Sequence, residues 1–131
     1  MSYNFFYLTG ISGAGNGVNG AIESAKIFNQ TNPKIIGSSM LTIYPESKLF
    51  NEIKNGNWAE ESELEKLEEI KTLISLLNIP VYFATLGASN AVWIEGNLPT
   101  DKKKMMSHLE KVCLPDNESK LRSYRKNLKH L

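Results

Sequence analysis

The sequence predicts an α/β fold in which a small, open, mainly parallel sheet of three strands is combined with helices. Short apolar runs typical of buried strands alternate along the chain with segments whose apolar residues recur at helical spacing. Alternation of this kind is typical of parallel strands connected by crossover helices. The length of 131 residues fits one hydrophobic core, so we expect a single domain over residues 1–131.

The first part of the chain predicts two strands with a helix between them. Residues 4–8 read NFFYL, an aromatic and aliphatic run of the kind that forms a buried strand. Five glycines follow within eleven residues, and Asn19 is the predicted N-cap of the next helix. Pro33 ends that helix, and the run KIIGSSMLTIY over residues 34–44 predicts the second strand.

The middle of the chain predicts two helices and the third strand. Residues 48–56 are expected to form a short amphipathic helix with Gly56 at its C-terminal end. Residues 60–77 give the clearest helical pattern, with an apolar stripe on one side and an acidic side that we expect to face solvent. The apolar run over residues 79–87 predicts the third strand.

The last part of the chain predicts two helices, over residues 101–113 and 117–129, after an irregular segment or short strand at residues 88–96. The predicted domain therefore consists of β–α units over residues 1–87 and a C-terminal extension over residues 88–131. Three strands make a thin sheet, so we expect at least one open edge that a larger sheet or a second copy would cover.

Composition and charge argue against several classes of partner. Fifteen Lys and Arg against fourteen Asp and Glu give a net charge of +1, which provides no global attraction to nucleic acid or to a membrane. No apolar run approaches the length of a transmembrane helix, and no basic segment followed by an apolar run opens the sequence. The single cysteine, Cys113, is typical of a reducing compartment, so we expect a cytoplasmic location.

Gly15, Gly17 and Gly20 fit the pattern G-x-G-x-x-G, which in dinucleotide-binding folds lies between a strand and a helix. The next predicted strand carries no acidic residue, however, and no Gly-Lys-Ser/Thr sequence of a P-loop occurs. A nucleotide-binding module built on this turn therefore stays open only as a less favoured alternative. The simpler interpretation is that the glycines permit turns with positive φ.

Residue chemistry alone does not assemble an active site. The two histidines, His108 and His130, lie on a predicted helix face and in the C-terminal tail, and neither combines with Cys113 or a serine into a nucleophilic arrangement. The acidic run from Glu60 to Glu69 is interpreted as a solvated helix face and not as a metal cluster. We therefore predict no catalytic and no metal-binding residue.

Three stretches match the motifs of one family in their order and spacing. The first, GISGAGNGVNGAIESAKIFN from Gly10, resembles the end of a strand and the following helix. The second, MLTIYPESKLFNEIKNGNW from Met40, resembles the end of the next strand. The third, GASNAVWIEGNLPTDKKKM from Gly87, resembles a segment His-Ala-Ser-Asn followed by Gly-x-Leu-Pro-x-Asp-Lys. Over residues 4–113 the chain resembles the C-terminal part of radical S-adenosylmethionine (radical SAM) iron–sulfur oxidoreductases.

The resemblance implies half of a partial TIM-like (β/α)6 barrel, with S-adenosylmethionine at the C-terminal ends of the strands. Carried over residue by residue, it implies cofactor-binding residues at the ends of the first two strands: Gly10, Ile11, Gly13, Ser39, Met40 and Leu41. Departures from the family pattern include Gly87 in place of a histidine and Glu46 in a Pro-Gly-Thr-Pro segment. The family's Cys-x3-Cys-x2-Cys loop, which binds a four-iron, four-sulfur cluster, does not occur in this sequence.

The resemblance thus predicts a C-terminal fragment of a radical SAM oxidoreductase of unknown substrate. Such a fragment would contribute the adenine-side wall of the cofactor site and the closure of the barrel. It would retain neither cofactor nor cluster alone and would be inactive without a cluster-bearing N-terminal half as its partner. The alternative is a non-catalytic binding or scaffold protein that forms oligomers through the open sheet edge.

Overall fold

A four-stranded mixed sheet forms the centre of the computed structural model, which describes residues 2–87 and 89–127. In spatial order the strands are β1 (Asn4–Thr9), β2 (Ile35–Met40), β3 (Val81–Thr85) and β4 (Glu95–Leu98). The first three strands are parallel, as the alternating pattern predicted, and β4 runs antiparallel to β3.

Helices connect the parallel strands and follow the sheet. Within the described residues they are α1 (Gly17–Phe28), α2 (Lys48–Lys54), α3 (Glu63–Leu76), α4 (Lys102–Val112) and α5 (Glu118–Lys126). The order is β1-α1-β2-α2-α3-β3-β4-α4-α5, so each connection between parallel strands contains helix. The last predicted helix extends to residue 129, and residues 128 and 129 lie outside the described part.

The prediction of three strands was wrong, because a fourth strand, β4, begins at Glu95 inside the segment 88–96 that was interpreted as irregular or as a short strand, and it runs to Leu98. Its sequence, EGNL, includes Gly96 and Asn97, two residue types with little preference for strands. The strand state comes from pairing along β3, from Val81 opposite Leu98 onwards. Gly96 is also required for packing, since a Cβ there would lie 2.8 Å from the sulfur of Met105 on α4.

Two helices begin at residues other than those predicted. Helix α1 begins at Gly17 and not after Asn19, and Asn16 at its N-cap position makes no side-chain capping bond. Helix α3 begins at Glu63, where Ser62 and Glu65 form a capping box that fixes its first turn. At the end of α2, Gly56 has a φ of +76°, which confirms its predicted place at a helix C-terminus.

The core lies between one face of the sheet and the helices α1, α3 and α4. The sheet contributes Ile36 and Phe83, which are fully buried, and Leu98, which is nearly so. Of the apolar stripe predicted for α3, Leu67, Ile70, Ile74 and Leu77 are buried and Leu64 is partly buried, and Leu73 of α3 is buried beside them. Burial of each side chain of this size stabilises the fold by roughly 1.5–3 kcal/mol.

The other face of the sheet is exposed, and we call it the open face. It carries Phe6, Leu8, Leu86 and Trp93, which are 76%, 41%, 37% and 64% exposed. Gly37 lies among them, since a Cβ there would overlap Leu86 and approach the Phe6 ring to 3.4 Å. Parallel sheets usually bury both faces, so an exposed apolar face is the main irregularity of this fold.

Candidate functional site

The C-terminal ends of β1 and β2 lie side by side. Thr9 pairs with Met40, and the Leu41 backbone N–H donates to the Thr9 carbonyl at 2.9 Å. Gly10 follows directly, and a Cβ on it would lie 3.6 Å from that of Leu41. Ligands of parallel sheets bind at this end of the strands, so the predicted site residues occupy the expected edge.

The structure brings the six predicted cofactor-binding residues to this edge but exposes them unequally. Gly10, Gly13 and Met40 are buried, whereas Ser39 and Leu41 are half-buried. A Cβ on Gly13 would lie 2.7 Å from the indole nitrogen of Trp58, so protein already packs against it. Three side chains remain for contact with a ligand: Ile11, which is 50% exposed, and the half-buried Ser39 and Leu41.

The segment between β1 and α1, residues 10–16, is a compact turn that we call the glycine turn. Gly10, Gly13 and Gly15 have φ angles of +96°, +87° and +81°, a conformation that costs a residue with a Cβ roughly 1–2 kcal/mol. Backbone bonds from Gly13 to Gly10 and from Asn16 to Gly13 close the turn at 3.2 and 3.1 Å. Glycine is therefore needed here for backbone geometry.

Two backbone N–H groups of the glycine turn donate to carboxylates of this same chain. Gly10 donates to Glu69 Oε1 at 3.2 Å, and Gly15 donates to Glu65 Oε2 at 2.9 Å. Gly17, the first residue of α1, completes the arrangement. A Cβ on it would overlap Glu61 Oε1 and lie 2.6 Å from Glu69 Oε1.

We call this group, the glycine turn with Gly17 and the carboxylates of Glu61, Glu65 and Glu69, the carboxylate cradle. A glycine-rich turn before a helix is a place where anions bind, because its N–H groups and the helix dipole attract negative charge. In this chain, glutamates already occupy that place. The N–H groups of Gly10 and Gly15 are consequently not free for a phosphate.

The prediction that the acids from Glu60 to Glu69 form a solvated helix face was wrong. Glu61, Glu63 and Glu69 are only 1%, 2% and 0% exposed. The glycine turn and α5 cover them, and both covering segments lie about fifty residues or more away in sequence. Sequence reasoning missed one signal: Glu61, Glu65 and Glu69 recur every fourth residue, which is the spacing of one helical face.

Two cations balance part of this buried acidic charge. Lys66, fully buried, places its ammonium 3.0 Å from Glu60 and 3.3 Å from Glu63. Arg125 of α5 reaches the same Glu63 oxygen at 2.9 Å and Glu60 at 3.8 Å. Removing charges from water is costly unless they are paired, and these contacts pair Glu60 and Glu63. Both cations thus form their ion pairs with those two acids.

Glu61 and Glu69 form the remaining buried carboxyl pair. Burial, together with a hydrogen bond to Glu69 and its negative charge, raises the pKa of Glu61 to about 8. Tyr7 of β1 donates its hydroxyl to Glu69, and burial followed by that bond raises the pKa of Tyr7 above its ordinary value. In contrast, the hydrogen bond from the Gly15 backbone lowers the pKa of the more exposed Glu65.

Arg125 connects helix α5 to the C-terminal end of β2 through hydrogen bonds. Besides Glu63, its guanidinium donates to the carbonyls of Leu41 at 2.6 Å and Ser89 at 3.0 Å. A cavity of about 280 Å³ lies beside it, between α5 and the segment after β2. Its lining is mostly polar and charged: Thr42, Ile43, Tyr44, Pro45, Glu60, Glu63, Arg122, Arg125 and Lys126.

The donor set does not fit an iron–sulfur cluster. Over residues 2–87 and 89–127, no group of three or more His, Cys, Asp or Glu side chains is placed to hold a metal ion. Cys113 is half-buried, its thiol lies 3.4 Å from Glu68 Oε1, and burial with that bond raises its pKa to about 11. A thiol held protonated in this way is a poor metal ligand.

In the described part of the chain, every helix is too short or too polar to cross a bilayer. Ala88 of the third family-like stretch and His130 lie outside the described residues.

Comparisons of the chain with protein-family models, curated proteins and solved structures gave no match. The radical SAM resemblance therefore stays a prediction.

Proposed function

We propose that this chain is the C-terminal portion of a radical SAM iron–sulfur oxidoreductase and works only with a cluster-bearing polypeptide. The observation that carries the proposal is the incomplete sheet. Three parallel strands end at β1, whose outer edge is unpaired within residues 2–87 and 89–127, beside an apolar open face. Further strands added at β1 would pair this edge, and curling of the enlarged sheet into an α/β barrel would enclose the open face.

The two edges of the sheet differ in a way that favours addition at β1. Strand β1, NFFYLT, has six residues and contains no charge and no proline, so nothing in it discourages pairing. Strand β4 at the other edge has four residues, begins with Glu95 and is followed by Pro99. Short, charged and proline-flanked strands are the usual means by which proteins protect an edge.

In the proposed enzyme, the contribution of this chain to the cofactor site is small. Ile11, Ser39 and Leu41 offer surface to the adenine side, while Gly10, Gly13 and Met40 support them from within. The chain supplies no cluster ligands, so it would be inactive alone. The nucleotide-binding alternative loses its main support, because Glu65 and Glu69 already bind the donors of the glycine turn.

Co-purification tests the proposal. We expect a tagged form of this chain to retain, under anaerobic conditions, a polypeptide with a Cys-x3-Cys-x2-Cys motif encoded beside it. Phe6→Lys, which puts a charge at the β1 edge of the open face, should abolish retention. Ile27→Lys is the matched control, because Ile27 is an exposed apolar residue of α1, 62% exposed. If neighbouring genes encode no such polypeptide, or if it is not retained, the proposal fails.

A homo-oligomeric scaffold is the second candidate, and the same uncharged edge favours it. Two copies can pair their β1 strands antiparallel about a two-fold axis. A register centred on Phe6 places the two Phe6 rings opposite each other on the open face, and cross-strand aromatic pairs stabilise sheets. Light scattering of the purified chain decides: a stable dimer that Phe6→Lys converts to a monomer supports this candidate, and a monomer at all concentrations contradicts it.

A further inference from the structure

The buried pair Glu61 and Glu69 lies where β1, α1 and α3 meet. Both carboxyls lie against Gly17, and both residues are at most 1% exposed. Glu69 accepts from the Gly10 backbone and from the Tyr7 hydroxyl, whereas Glu61 Oε2 is buried without a hydrogen-bond partner. The pair is thus held tightly, but one of its oxygens lacks a donor.

The charged groups around the pair do not neutralise it. On α3, Lys66 lies close enough to attract Glu61, but its ammonium bonds Glu60 and Glu63, and Glu65 adds negative charge. From β1, Tyr7 offers a hydroxyl and no charge. From α1, Gly17 offers only backbone. Two carboxylates buried against the same glycine cannot both be ionised without a large cost, so such pairs hold a proton between them.

We propose that Glu61 and Glu69 share one proton, and that this proton fixes the glycine turn by keeping Glu69 in place as the acceptor for Gly10. Glu61 donates the shared proton to Glu69. Glu69 in turn accepts from Gly10 and Tyr7, so a single network joins the turn to β1 and α3. Loss of the proton leaves two negative charges buried against Gly17, and the turn must open to hydrate them.

The shared proton is released at a pH slightly above neutral. The pKa of about 8 for Glu61, raised by burial and by Glu69, means that the proton is bound at pH 7 and lost in mildly alkaline solution. The open turn would release the Gly10 backbone and uncover the N-terminus of α1. This inference concerns the chain alone and does not rest on the proposed function.

The test follows glutamate side-chain carboxyl carbons and glycine amides by NMR between about pH 5 and pH 10, on chain labelled with ¹³C and ¹⁵N. We expect one buried carboxyl to titrate near pH 8, and the Gly10 amide to shift with the same midpoint. The Gly96 amide, in β4 at the opposite edge of the sheet from β1, should not share it. Glu61→Gln keeps the shape without the charge and should remove the midpoint. Glu23→Gln, on the exposed side of α1, should leave it unchanged.

Several results would overturn the inference. The first such result can be obtained with the unmodified chain: if every glutamate carboxyl titrates below about pH 6, no shared proton exists at neutral pH. This outcome needs no variant, so poor folding of Glu61→Gln cannot obscure it. A midpoint near pH 8 that persists in folded Glu61→Gln would assign the proton to another group. A carboxyl midpoint without any change at Gly10 would show that the proton does not control the turn.

Discussion

Three glutamates take the place beside α1 where an anionic ligand would otherwise bind. Gly10 and Gly15 donate to Glu69 and Glu65, and Gly17 leaves room for Glu61. The glycines are needed for different reasons, since positions 10 and 15 require positive φ and position 17 requires the absence of a Cβ. At the residue scale, the cradle is therefore held by steric fit as much as by hydrogen bonds.

Gly17→Ala tests that steric fit. The added Cβ would overlap Glu61 Oε1, so we expect the substitution to lower the free energy of unfolding by about 1–3 kcal/mol, although alanine favours helix. Gly15→Ala is the control, because no atom lies within 4 Å of a Cβ there, and only its φ of +81° costs energy, about 1 kcal/mol. Urea denaturation measures both. Stabilisation by Gly17→Ala would contradict the close packing of Glu61 on Gly17.

The pH dependence of stability tests the charge state of Glu61. Its pKa is raised from about 4.5 to about 8 on folding, so its stabilisation is complete below pH 4.5 and is lost as pH rises through 8. The free energy of unfolding should therefore fall between these values, with up to about 1.4 kcal/mol per pH unit coming from Glu61. Denaturation curves for the unmodified chain and Glu61→Gln, subtracted at each pH, isolate this contribution; a flat difference would contradict it.

Two other carboxylates act in the opposite direction and in a different pH range. The bond from Gly15 lowers the pKa of Glu65, and backbone bonds from Leu64 and Glu63 lower that of Glu118 despite its burial. Stability from these two groups is present above their ordinary pKa and is lost as pH falls below it. Neither group contributes to the fall in stability that Glu61 causes between about pH 4.5 and pH 8.

At the scale of elements, α5 is held by polar contacts and buries no residue completely. Glu118 at its start accepts from the backbones of Glu63 and Leu64, both at 3.0 Å, and so caps α3 from outside. Arg125 near its end binds Glu63 and the carbonyls of Leu41 and Ser89. Charge complementarity, more than apolar packing, therefore positions this helix over the end of the sheet.

Arg125→Ala should destabilise the fold by about 3 kcal/mol, because it leaves Glu63 buried with less compensation. Arg122→Ala, one turn earlier on the same helix, should cost less than about 0.5 kcal/mol, since Arg122 is 42% exposed and its pair with Glu118 spans 3.6 Å. Denaturation measures the cost, and hydrogen exchange shows whether residues 118–126 lose protection. Equal costs for the two variants would contradict the role of Arg125.

The sequence pattern correctly predicted the features that depend on interactions between residues close together in the sequence. The parallel strands, the apolar stripe of α3 and the glycine after α2 follow from hydrophobic periodicity and turn chemistry, and all three are present. For β4 the sequence left an irregular segment or a short strand open, because pairing with β3, and not local preference, forms this strand. The buried acids were missed for a similar reason: the pattern of α3 cannot show that Gly10 and Arg125 will cover its acidic side.

At the scale of the whole molecule, the helices α1, α3 and α4 pack on one face of the sheet, and the open face remains exposed. Trp93, 64% exposed, lines a groove of about 420 Å³ on this face with Tyr82, Ala84 and Leu86. Exposed apolar patches bordered by polar residues mark interaction sites on soluble proteins. The open face is therefore the surface on which a partner would pack in the proposed assembly.

Trp93 can report on that assembly. The sequence has two tryptophans, so Trp58→Phe leaves Trp93 as the only one. Acrylamide should quench its fluorescence strongly in the isolated chain and several-fold less in a complex that covers the open face. Trp93→Phe is the control, because half-buried Trp58 packs on Gly13 at the glycine turn and should respond little. Unchanged quenching of Trp93 in a purified complex would place the partner elsewhere.

The most direct test of the proposed function is the formation of 5′-deoxyadenosine from S-adenosylmethionine under anaerobic, reducing conditions. The assay compares this chain, the neighbouring cluster-bearing polypeptide, and the two together after iron and sulfide reconstitution. We predict product only from the combination, and its loss with Phe6→Lys but not with Ile27→Lys. Equal product from the cluster-bearing polypeptide alone would contradict the proposal that this chain completes the enzyme.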